Sequence, residues 1–182
     1  MLDREKSIVS DAVRGEASAF GLLYDYYQSK IYRFIVLKVG RSEEAEDLTH
    51  QVFLNAWQNI KNYKGRGFPF SSWLYRIARN LVIDHYRTLK ETASVDQIDP
   101  EYFAAPATIH FDIDNKSRIG EVRLAISKLD PDYQDVIIMR FVEELSIKES
   151  AEVLGKSEGA VKLMQYRALK KLKELLGNKN IF

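Results

Sequence analysis

The sequence predicts an all-α protein of two small helical domains joined by a flexible acidic linker. Apolar residues recur at spacings of three and four along most of the 182 residues, which is the helical period. Four prolines and nine glycines are too few for a chain rich in β-turns. Charge divides the chain, because residues 61–90 carry seven Lys or Arg and one acid, whereas residues 91–114 carry six acids and no Lys or Arg. We therefore expect domains over residues 1–90 and 115–182 and a linker over residues 91–114.

The first domain begins with three predicted helical segments. Residues 2–14 are consistent with one helix, and an apolar face follows that ends near Gly40. Ser42 is the predicted N-cap of the next helix, with acidic residues in its first turn. The apolar face before Gly40 consists of Phe20, Leu23, Tyr24, Tyr27, Ile31, Phe34 and Ile35, and the next helix has Ala45, Leu48, Val52, Phe53, Ala56, Trp57 and Ile60.

A basic, aromatic loop over residues 62–70 precedes a helix predicted from Ser72 to Leu89. One face of this helix is apolar, and the opposite face is cationic with aromatic residues at its borders. Such a surface suits unpaired nucleic acid, because bases stack on rings while Lys and Arg follow the phosphates. The competing interpretation places most of these rings in the core. The polar face holds Arg76, Arg79, Asn80, Ile83, Arg87 and Lys90, and the rings of interest are Tyr63, Trp73, Tyr75 and Tyr86.

The second domain carries the signature of a helix-turn-helix. An apolar helix with Ile119, Val122, Ile126 and Leu129 stops at Asp130-Pro131, which reads as N-cap and first residue of the next helix. That helix has the stripe Tyr133, Val136, Ile137 and Phe141. A capping box from Ser146 to Glu149 starts a short helix ending at Gly155, and Ser157 caps the final helix. The final helix has the stripe Val161, Met164, Ala168, Leu172 and Leu175 and the exposed residues Lys162, Leu163, Tyr166, Arg167, Lys170 and Lys173.

Such a motif places its second helix in the major groove of DNA. Lys162, Tyr166 and Arg167 are candidate base readers, Leu163 could touch a thymine methyl group, and Lys170 could meet a phosphate. The competing interpretation is a surface helix with solvated lysines. Gln165 falls within the apolar stripe and needs a hydrogen-bond partner that the sequence does not identify.

Composition argues against several other classes of protein. The chain has no cysteine, so disulfides, thiolate metal sites and thiol nucleophiles are excluded. Three histidines, His50, His85 and His110, and no Gly-rich phosphate loop make a poor catalytic inventory, and we expect neither metal nor cofactor. A charged N-terminus and no apolar run of about 18 residues predict a soluble, unexported chain without membrane insertion.

Three stretches together resemble bacterial sigma factors of the extracytoplasmic-function group, which retain sigma regions two and four. They are residues 45–57, residues 70–87 and the helix-turn-helix. The resemblance covers nearly the whole chain. It implies a non-enzymatic, cytoplasmic factor that binds core RNA polymerase, recognises the −35 promoter element with region four and helps melt the −10 element with region two.

The resemblance also assigns roles to individual residues. It implies polymerase contacts by Asp47, Gln51, Asn55 and Trp57. For the −10 strand it points to the loop 63–70 and to the cationic helix, that is, to Tyr63, Lys64, Arg66, Tyr75, Arg76, Arg79, Asn80 and Arg87. For the −35 element it points to Ser157, Lys162, Leu163, Tyr166, Arg167 and Lys170. It further implies a linker threaded through polymerase and a cognate anti-sigma factor, in this family often membrane-anchored.

Some positions depart from the family pattern, and one other class of binding protein stays open. His50 stands where the family often has Gln, and Leu163 and Met164 replace a common Ser-Arg pair, so the −35 sequence is not inferred from relatives. The alternative is a stand-alone DNA-binding regulator with a helical sensor domain, which would bind duplex DNA as a dimer without polymerase.

Overall fold

The computed structural model describes residues 4–65, 67–92 and 116–177. The regular structure within these ranges is helical, so the predicted all-α class is confirmed. Arg66, His110, the chain termini and the predicted linker after its first two residues lie outside the described residues. Of the described helices, none is both long enough and apolar enough to cross a membrane.

The N-terminal half is a bundle of four α-helices, and α2 supplies its central buried face. Most of the predicted stripe of α2 is buried, and the ring of the half-buried Tyr24 packs edge-on against Phe53 at 4.8 Å. The four helices are α1 (Glu5–Val13), α2 (Ala17–Val39), α3 (Ser42–Asn59), which continues into a 3-10 turn (Ile60–Asn62), and α4 (Phe70–Thr92).

Two helix starts differ from the prediction. Helix α3 begins at Ser42, so Arg41 takes the N-cap position; no side-chain cap forms there, and the Arg41 guanidinium instead bonds Glu44 at 3.0 Å. Helix α4 begins at Phe70, two residues earlier than predicted. Glu5 of α1 explains this start, because its carboxylate accepts the Phe70 backbone N–H at 3.2 Å and satisfies a donor that a helix terminus leaves unpaired. Tyr27 donates to the same carboxylate at 2.9 Å.

The C-terminal half begins with two helices that meet at the predicted boundary. Pro131 is the first residue of the second helix, as its fixed φ favours, and Asp130 stands at the N-cap. The Asp130 carboxylate makes no cap bond and pairs with Lys171 at 2.9 Å. The helices of this half are α5 (Lys116–Ser127), α6 (Pro131–Ile137), which continues into a π-helical segment (Ile138–Val142), α7 (Ile147–Leu154) and α8 (Glu158–Leu175).

One predicted core residue, Phe141 in the π-helical segment, lies outside the core. Val136 and Ile137 are buried as expected, but Phe141 is exposed. A π-helical turn holds one residue more than an α-helical turn, so the residues after Ile137 leave the α-helical stripe. Ile138 and Met139 are buried in its place. The stripe of α8 is also shorter than predicted, because Leu175 at its end is exposed.

The two halves pack against each other. Helix α4 contacts α7, and α2 contacts the π-helical segment and α5. Ion pairs join the two halves, and two of the cations, Arg76 and Arg79, are residues with predicted roles in DNA binding.

Candidate nucleic-acid and polymerase interfaces

The helix-turn-helix forms as the sequence predicts. The Ser146 hydroxyl accepts the Glu149 N–H at 3.1 Å, and the Glu149 carboxylate accepts the Ser146 N–H at 2.6 Å, which completes the capping box. Gly155 ends α7 at φ 62°, a left-handed conformation that glycine adopts without a Cβ clash. The Ser157 hydroxyl then accepts the Ala160 N–H at 3.2 Å and caps α8. These local bonds define where α7 begins and ends and where α8 begins.

Helix α8 turns one face to the core and leaves the other open. Val161, Ala168 and Leu172 are buried. The ring of Tyr166 is 69% exposed, which is the largest value among the exposed apolar side chains of the described residues. All five candidate readers and phosphate contacts of this helix, together with the cap residue, are exposed: Ser157, Lys162, Leu163, Tyr166, Arg167 and Lys170.

The polar residue within the stripe of α8 has a partner. The Arg140 Nε donates to the Gln165 Oε1 at 3.0 Å, and the same guanidinium bonds the Leu145 carbonyl oxygen. Arg140 thereby joins α8 to the turn before α7. Sequence periodicity could not find this bond, because its two residues are 25 positions apart.

The loop before α4 forms a small cleft lined by aromatic rings. The ring centroid of Tyr63 lies 5.1 Å from that of Trp73 and 5.3 Å from that of Phe70. The cleft has a volume of about 160 Å³, and Lys64 and Arg76 contribute to its walls. The Ser72 hydroxyl, also in the lining, is buried and has no hydrogen-bond partner among the described residues. Burial, aided by the Glu5 carboxylate, raises the pKa of Tyr63 above its ordinary value.

Tyr75 lies in the core and not at the predicted border. It is 1% exposed, its ring packs edge-on against Phe34 at 5.4 Å, and its hydroxyl donates to Glu143 at 2.7 Å. Burial, aided by the Glu143 carboxylate, raises the pKa of Tyr75. In this arrangement the ring has no free face for a base. Tyr86 is half-buried and donates to the Lys38 carbonyl oxygen at 2.6 Å.

The arginines near the middle of α4 are engaged by carboxylates of the C-terminal half. Arg79 donates to Asp135 at 2.7 Å and to Asp132 at 2.8 Å, and Arg76 bonds Glu152 at 3.4 Å. Burial by itself would lower the pKa of Arg79, but the carboxylates outweigh it and raise the pKa. Burial likewise works against ionised Asp132, yet its bonds to Lys156 and Arg79 hold its pKa below the ordinary value.

Asn80 and Arg87 remain on the open side of α4. Asn80 is exposed and lines a cleft of about 440 Å³ between α3 and α4, together with Asn55. Arg87 is exposed and pairs with Asp84 one turn away at 3.1 Å, an arrangement that contributes little at a surface. Both side chains can be reached by a ligand without any rearrangement of the helices.

Three of the four predicted polymerase contacts form one row on α3. Asp47, Gln51 and Asn55 follow each other at intervals of four residues, and the Gln51 amide donates to the Asn55 side chain at 2.7 Å. Trp57 is 39% exposed and packs on Phe20 with ring centroids 4.9 Å apart, so it serves partly as core.

Sequence reasoning missed Leu54. Seven residues after Asp47, it falls on the same face of α3, and it is 48% exposed. The signal was present in the sequence, because Leu54 is an apolar residue outside the predicted stripe of that helix. A single exposed leucine is ordinary at a protein surface, so what distinguishes Leu54 is its place on the same face of α3 as Asp47.

Two of the three histidines, His50 and His85, lie among the described residues. His85 is half-buried and its Nε2 lies 3.2 Å from the Glu44 carboxylate, whereas His50 is exposed. Among the described residues, no group of three His, Asp or Glu side chains is placed to hold a metal ion.

Comparisons with known proteins identify a family for each helical half. Residues 23–92 match the family described as Sigma-70 region 2, and residues 119–172 match Sigma-70, region 4. The chain is similar to the ECF RNA polymerase sigma factor BldN of Streptomyces coelicolor, at 39% identity over 95% of this chain and 66% of that protein. It is similar to SigX of Bacillus subtilis at 31% identity over 85% of this chain and 82% of that protein.

A solved structure shows the same fold. The sigma factor RpoE, solved in complex with the anti-sigma factor NepR from Bartonella quintana, superimposes with a TM-score of 0.72 at 22% identity, over 86% of this chain and 96% of that one. The two family matches lie on the two helical halves in the order that the sequence predicts. The chain therefore belongs to the extracytoplasmic-function group of the sigma-70 family, the non-enzymatic initiation factors that direct bacterial RNA polymerase to promoters.

Proposed function

We propose that this chain binds core RNA polymerase through α3, reads the −35 element with α8 and holds the melted −10 strand with α4 and the loop before it. The observation that carries the proposal is the open face of α8, where cations and an exposed tyrosine stand on a helix whose other face is anchored in the core. Family membership gives the general role, and the exposed side chains support the assignment of individual residues.

The −35 assignment follows from the geometry of a helix-turn-helix. Its second helix enters the major groove with its N-terminal residues at the base edges. Lys162, Tyr166 and Arg167 lie in the first ten residues of α8 and are exposed. Leu163 beside them would offer an apolar surface to a thymine methyl group, and Ser157 and Lys170 would meet the phosphate backbone of the DNA.

The −10 assignment rests on the ring-lined cleft and on α4. Unpaired bases stack on aromatic rings, and Tyr63 and Trp73 line a cleft beside the exposed Lys64. Asn80 and Arg87 are open to a strand along α4. Arg76 and Arg79 would join them after release from their carboxylate partners. Arg66 and Tyr75 are also proposed to contact the −10 strand. Tyr75 would first have to leave its buried position against Phe34.

The polymerase assignment rests on the polar row of α3. Asp47, Gln51 and Asn55 form a continuous surface, and Trp57 borders it. Burial of such a surface against a partner requires no change in the core, because the opposite face of α3 already packs in the bundle.

We also propose the division into domains 1–90 and 115–182, with a linker over residues 91–114 that follows the template path in polymerase. A cognate anti-sigma factor is a second proposed protein partner, as RpoE has in NepR. We propose that the protein acts in the cytoplasm, because that is where bacterial RNA polymerase transcribes DNA.

Capture of core RNA polymerase tests the proposal. Immobilised wild-type protein should retain purified bacterial core polymerase, and Asp47→Ala/Gln51→Ala should lose it. Asp25→Ala/Gln28→Ala is the matched control, because it removes an acid and a glutamine from the bundle surface on α2. The wild type should then transcribe from members of a randomised promoter library, and Asn80→Ala or Arg167→Ala should reduce that transcription.

Two results would contradict the proposal. Failure of the folded wild type to retain polymerase, combined with dimerisation and tight binding to duplex DNA, would indicate a stand-alone regulator. Equal retention of polymerase by the wild type and Asp47→Ala/Gln51→Ala would show that the row on α3 is not the docking surface.

A further inference from the structure

Helix α1 contacts both ends of the loop over residues 63–70, which is proposed to hold the −10 strand. Before the loop, α1 packs against the 3-10 turn Ile60–Asn62. After it, the Glu5 carboxylate accepts the Phe70 backbone N–H at 3.2 Å. The match to Sigma-70 region 2 begins at residue 23, so α1 lies outside the matched residues. The roles proposed for α3, α4 and α8 therefore leave α1 without a function of its own.

The Glu5 carboxylate joins three helices of the N-terminal bundle. Glu5 is only 9% exposed, although it is an acidic residue. One of its oxygens accepts the Tyr27 hydroxyl of α2 at 2.9 Å, and the other accepts the N–H of Phe70 at the start of α4. Burial, aided by the Glu5 carboxylate, raises the pKa of Tyr27, which favours the protonated hydroxyl that donates this bond. A buried carboxylate is costly unless donors satisfy its oxygens, so the two bonds hold α1, α2 and α4 in one arrangement.

Phe70 connects this carboxylate to the cleft lined by aromatic rings. It is 2% exposed, and its ring centroid lies 5.9 Å from that of Tyr27. On its other contacts, the same ring lies 5.3 Å from Tyr63 and 5.4 Å from Trp73. Tyr63 and Trp73 both line the cleft. A displacement of Phe70 would therefore move the two rings on which an unpaired base is proposed to stack.

The loop itself is shaped by internal hydrogen bonds. The Phe68 N–H donates to the Gly65 carbonyl oxygen at 2.9 Å, and the Tyr63 hydroxyl makes a long bond of 3.5 Å to the Phe68 carbonyl oxygen. These bonds lie within the loop, whereas the bond from Glu5 joins its end to the bundle. A loop that is already held in place loses less conformational entropy when a ligand binds, so this bond should raise the affinity for a strand.

We propose that Glu5 is a positioning residue for the −10 strand. By holding Phe70 in place beside Tyr27, it sets the position of the rings that receive an unpaired base. This inference rests on the proposed function of the loop. Glu5 acts through these neighbours and not by contact with the strand, because its carboxylate is buried and accepts two bonds. Without it, the protein holds an unpaired base more weakly and distinguishes less well between one base and another.

Two substitutions of nearly equal size separate the acceptor from the packing. Glu5→Met fills the same space with an apolar side chain and leaves the Phe70 N–H without its acceptor. Glu5→Gln keeps one oxygen for that N–H, and its amide group can donate to the Tyr27 oxygen, so it should restore the function. Ala12→Gly is the stability control, because Ala12 is buried about two turns further along α1 and glycine destabilises a helix.

The first measurement follows Trp73 in the protein without DNA. The chain has two tryptophans, so a Trp57→Phe background leaves Trp73 as the only one. Acrylamide quenching of its fluorescence then reports how well the ring is packed. We expect Glu5→Met to raise the quenching constant of Trp73, whereas Glu5→Gln and Ala12→Gly should leave it at the value of the background.

The second measurement is open-complex formation by core polymerase assembled with each variant. One template is a promoter that the wild type selects from the randomised library, and the other differs by one base at the most constrained position of its −10 element. On the selected promoter, Glu5→Met should require about tenfold more holoenzyme for half-maximal formation, the loss expected when one base stacks poorly. Its preference for the selected template over the changed one should also fall. A shortage of folded protein would affect both templates alike, so this ratio reports positioning and not stability, and Glu5→Gln and Ala12→Gly should retain it.

Folded Glu5→Met with the quenching constant and the template preference of the wild type would overturn the role of Glu5. A loss of preference in Glu5→Gln as large as that in Glu5→Met would overturn it as well, because the acceptor would then not be what matters. Glu5→Ala repeats the comparison if Glu5→Met does not fold. A wild type that forms no open complex on any member of the library would refute the proposed function, whereas an active wild type matched by Glu5→Met would refute the positioning role alone.

Discussion

Leu54 is an apolar side chain that lies mainly outside the core of the N-terminal bundle. It projects from the same face of α3 as Asp47 and is 48% exposed. A leucine buried at an interface contributes roughly 1.5 to 3 kcal/mol, which exceeds the contribution of a typical exposed polar contact. We therefore propose that Leu54 belongs to the polymerase-docking surface that we propose for the polar row.

The change Leu54→Ala should weaken capture of core polymerase by about tenfold or more, since most of the apolar contact is removed. Its free energy of unfolding should change by less than about 0.5 kcal/mol, because the side chain is mainly solvated in the free protein. Polymerase titration and urea unfolding measure the two effects. Leu54→Met is the matched control and should retain capture, and equal capture by Leu54→Ala would remove this residue from the docking surface.

For a single residue, helical periodicity predicts exposure well when the burial of its side chain depends only on which face of its own helix it occupies. For this reason the candidate readers on α8 are exposed, as the periodicity of that helix predicts. Tyr75 is different, because its burial depends on Phe34 of α2 and Glu143 of the C-terminal half. No pattern within α4 contains those neighbours.

Among the elements, α7 and its turn depend on local backbone geometry. Gly155 ends α7 with φ at 62°, and no atom lies within 4 Å of the position where a Cβ would stand. A side chain at this position would therefore destabilise the fold through its strained backbone conformation, and not through clashes with neighbouring residues. Gly21 lies within α2, also with open space around it, but in regular helical conformation.

We expect opposite effects of the same substitution at these two glycines. Gly155→Ala should lower the free energy of unfolding by about 1 to 2 kcal/mol, because a left-handed residue with a Cβ is strained. Gly21→Ala should raise it by about 0.5 to 1 kcal/mol, because alanine loses less entropy in a helix. Urea unfolding of both variants measures the changes, and destabilisation by Gly21→Ala would show that the open space on α2 is needed for another reason.

Element boundaries were predictable where a short motif specifies them. The capping box at Ser146, the turn at Gly155 and the start at Pro131 are local signals, and all three form. The start of α4 was missed because Glu5 of another helix accepts its first N–H. The π-helical segment was missed because apolar periodicity assumes 3.6 residues in every turn.

For the whole molecule, Asp132 links the two halves through charges of opposite sign. Arg79 of α4 and Lys156 after α7 both bond its carboxylate and lower its pKa. A carboxylate whose pKa is lower in the folded state stabilises that state above its ordinary pKa of 3.8. The contribution is lost as the pH falls through the lowered folded value.

The difference in free energy of unfolding between the wild type and Asp132→Asn should therefore be full at about pH 7 and smaller at about pH 3. Urea unfolding at both pH values measures it. Lys156→Gln, which removes one of the two cations, should retain part of the pH dependence. A difference that is the same at both pH values would contradict the role of this carboxylate.

The contact between the halves could not be predicted from the sequence. The basic block that contains Arg79 and the carboxylates that meet it are more than 50 positions apart. The alternation of basic and acidic segments along the chain indicates that they can attract each other. It does not predict which arginine pairs with which carboxylate. That selection depends on how α6 and α7 are oriented against α4.

The π-helical segment makes the contact sensitive to chain length. It holds one residue more than an α-helical turn would, and Glu143 follows directly after it. Loss of one residue between 138 and 142 would let α6 continue as a regular helix, so the secondary structure itself would tolerate the deletion. The residues that follow would turn by about 100°, however, which carries the Glu143 carboxylate away from Arg33 and Tyr75, which both donate to it. Among descendants of this gene, single-residue deletions in this segment should therefore be rarer than apolar substitutions.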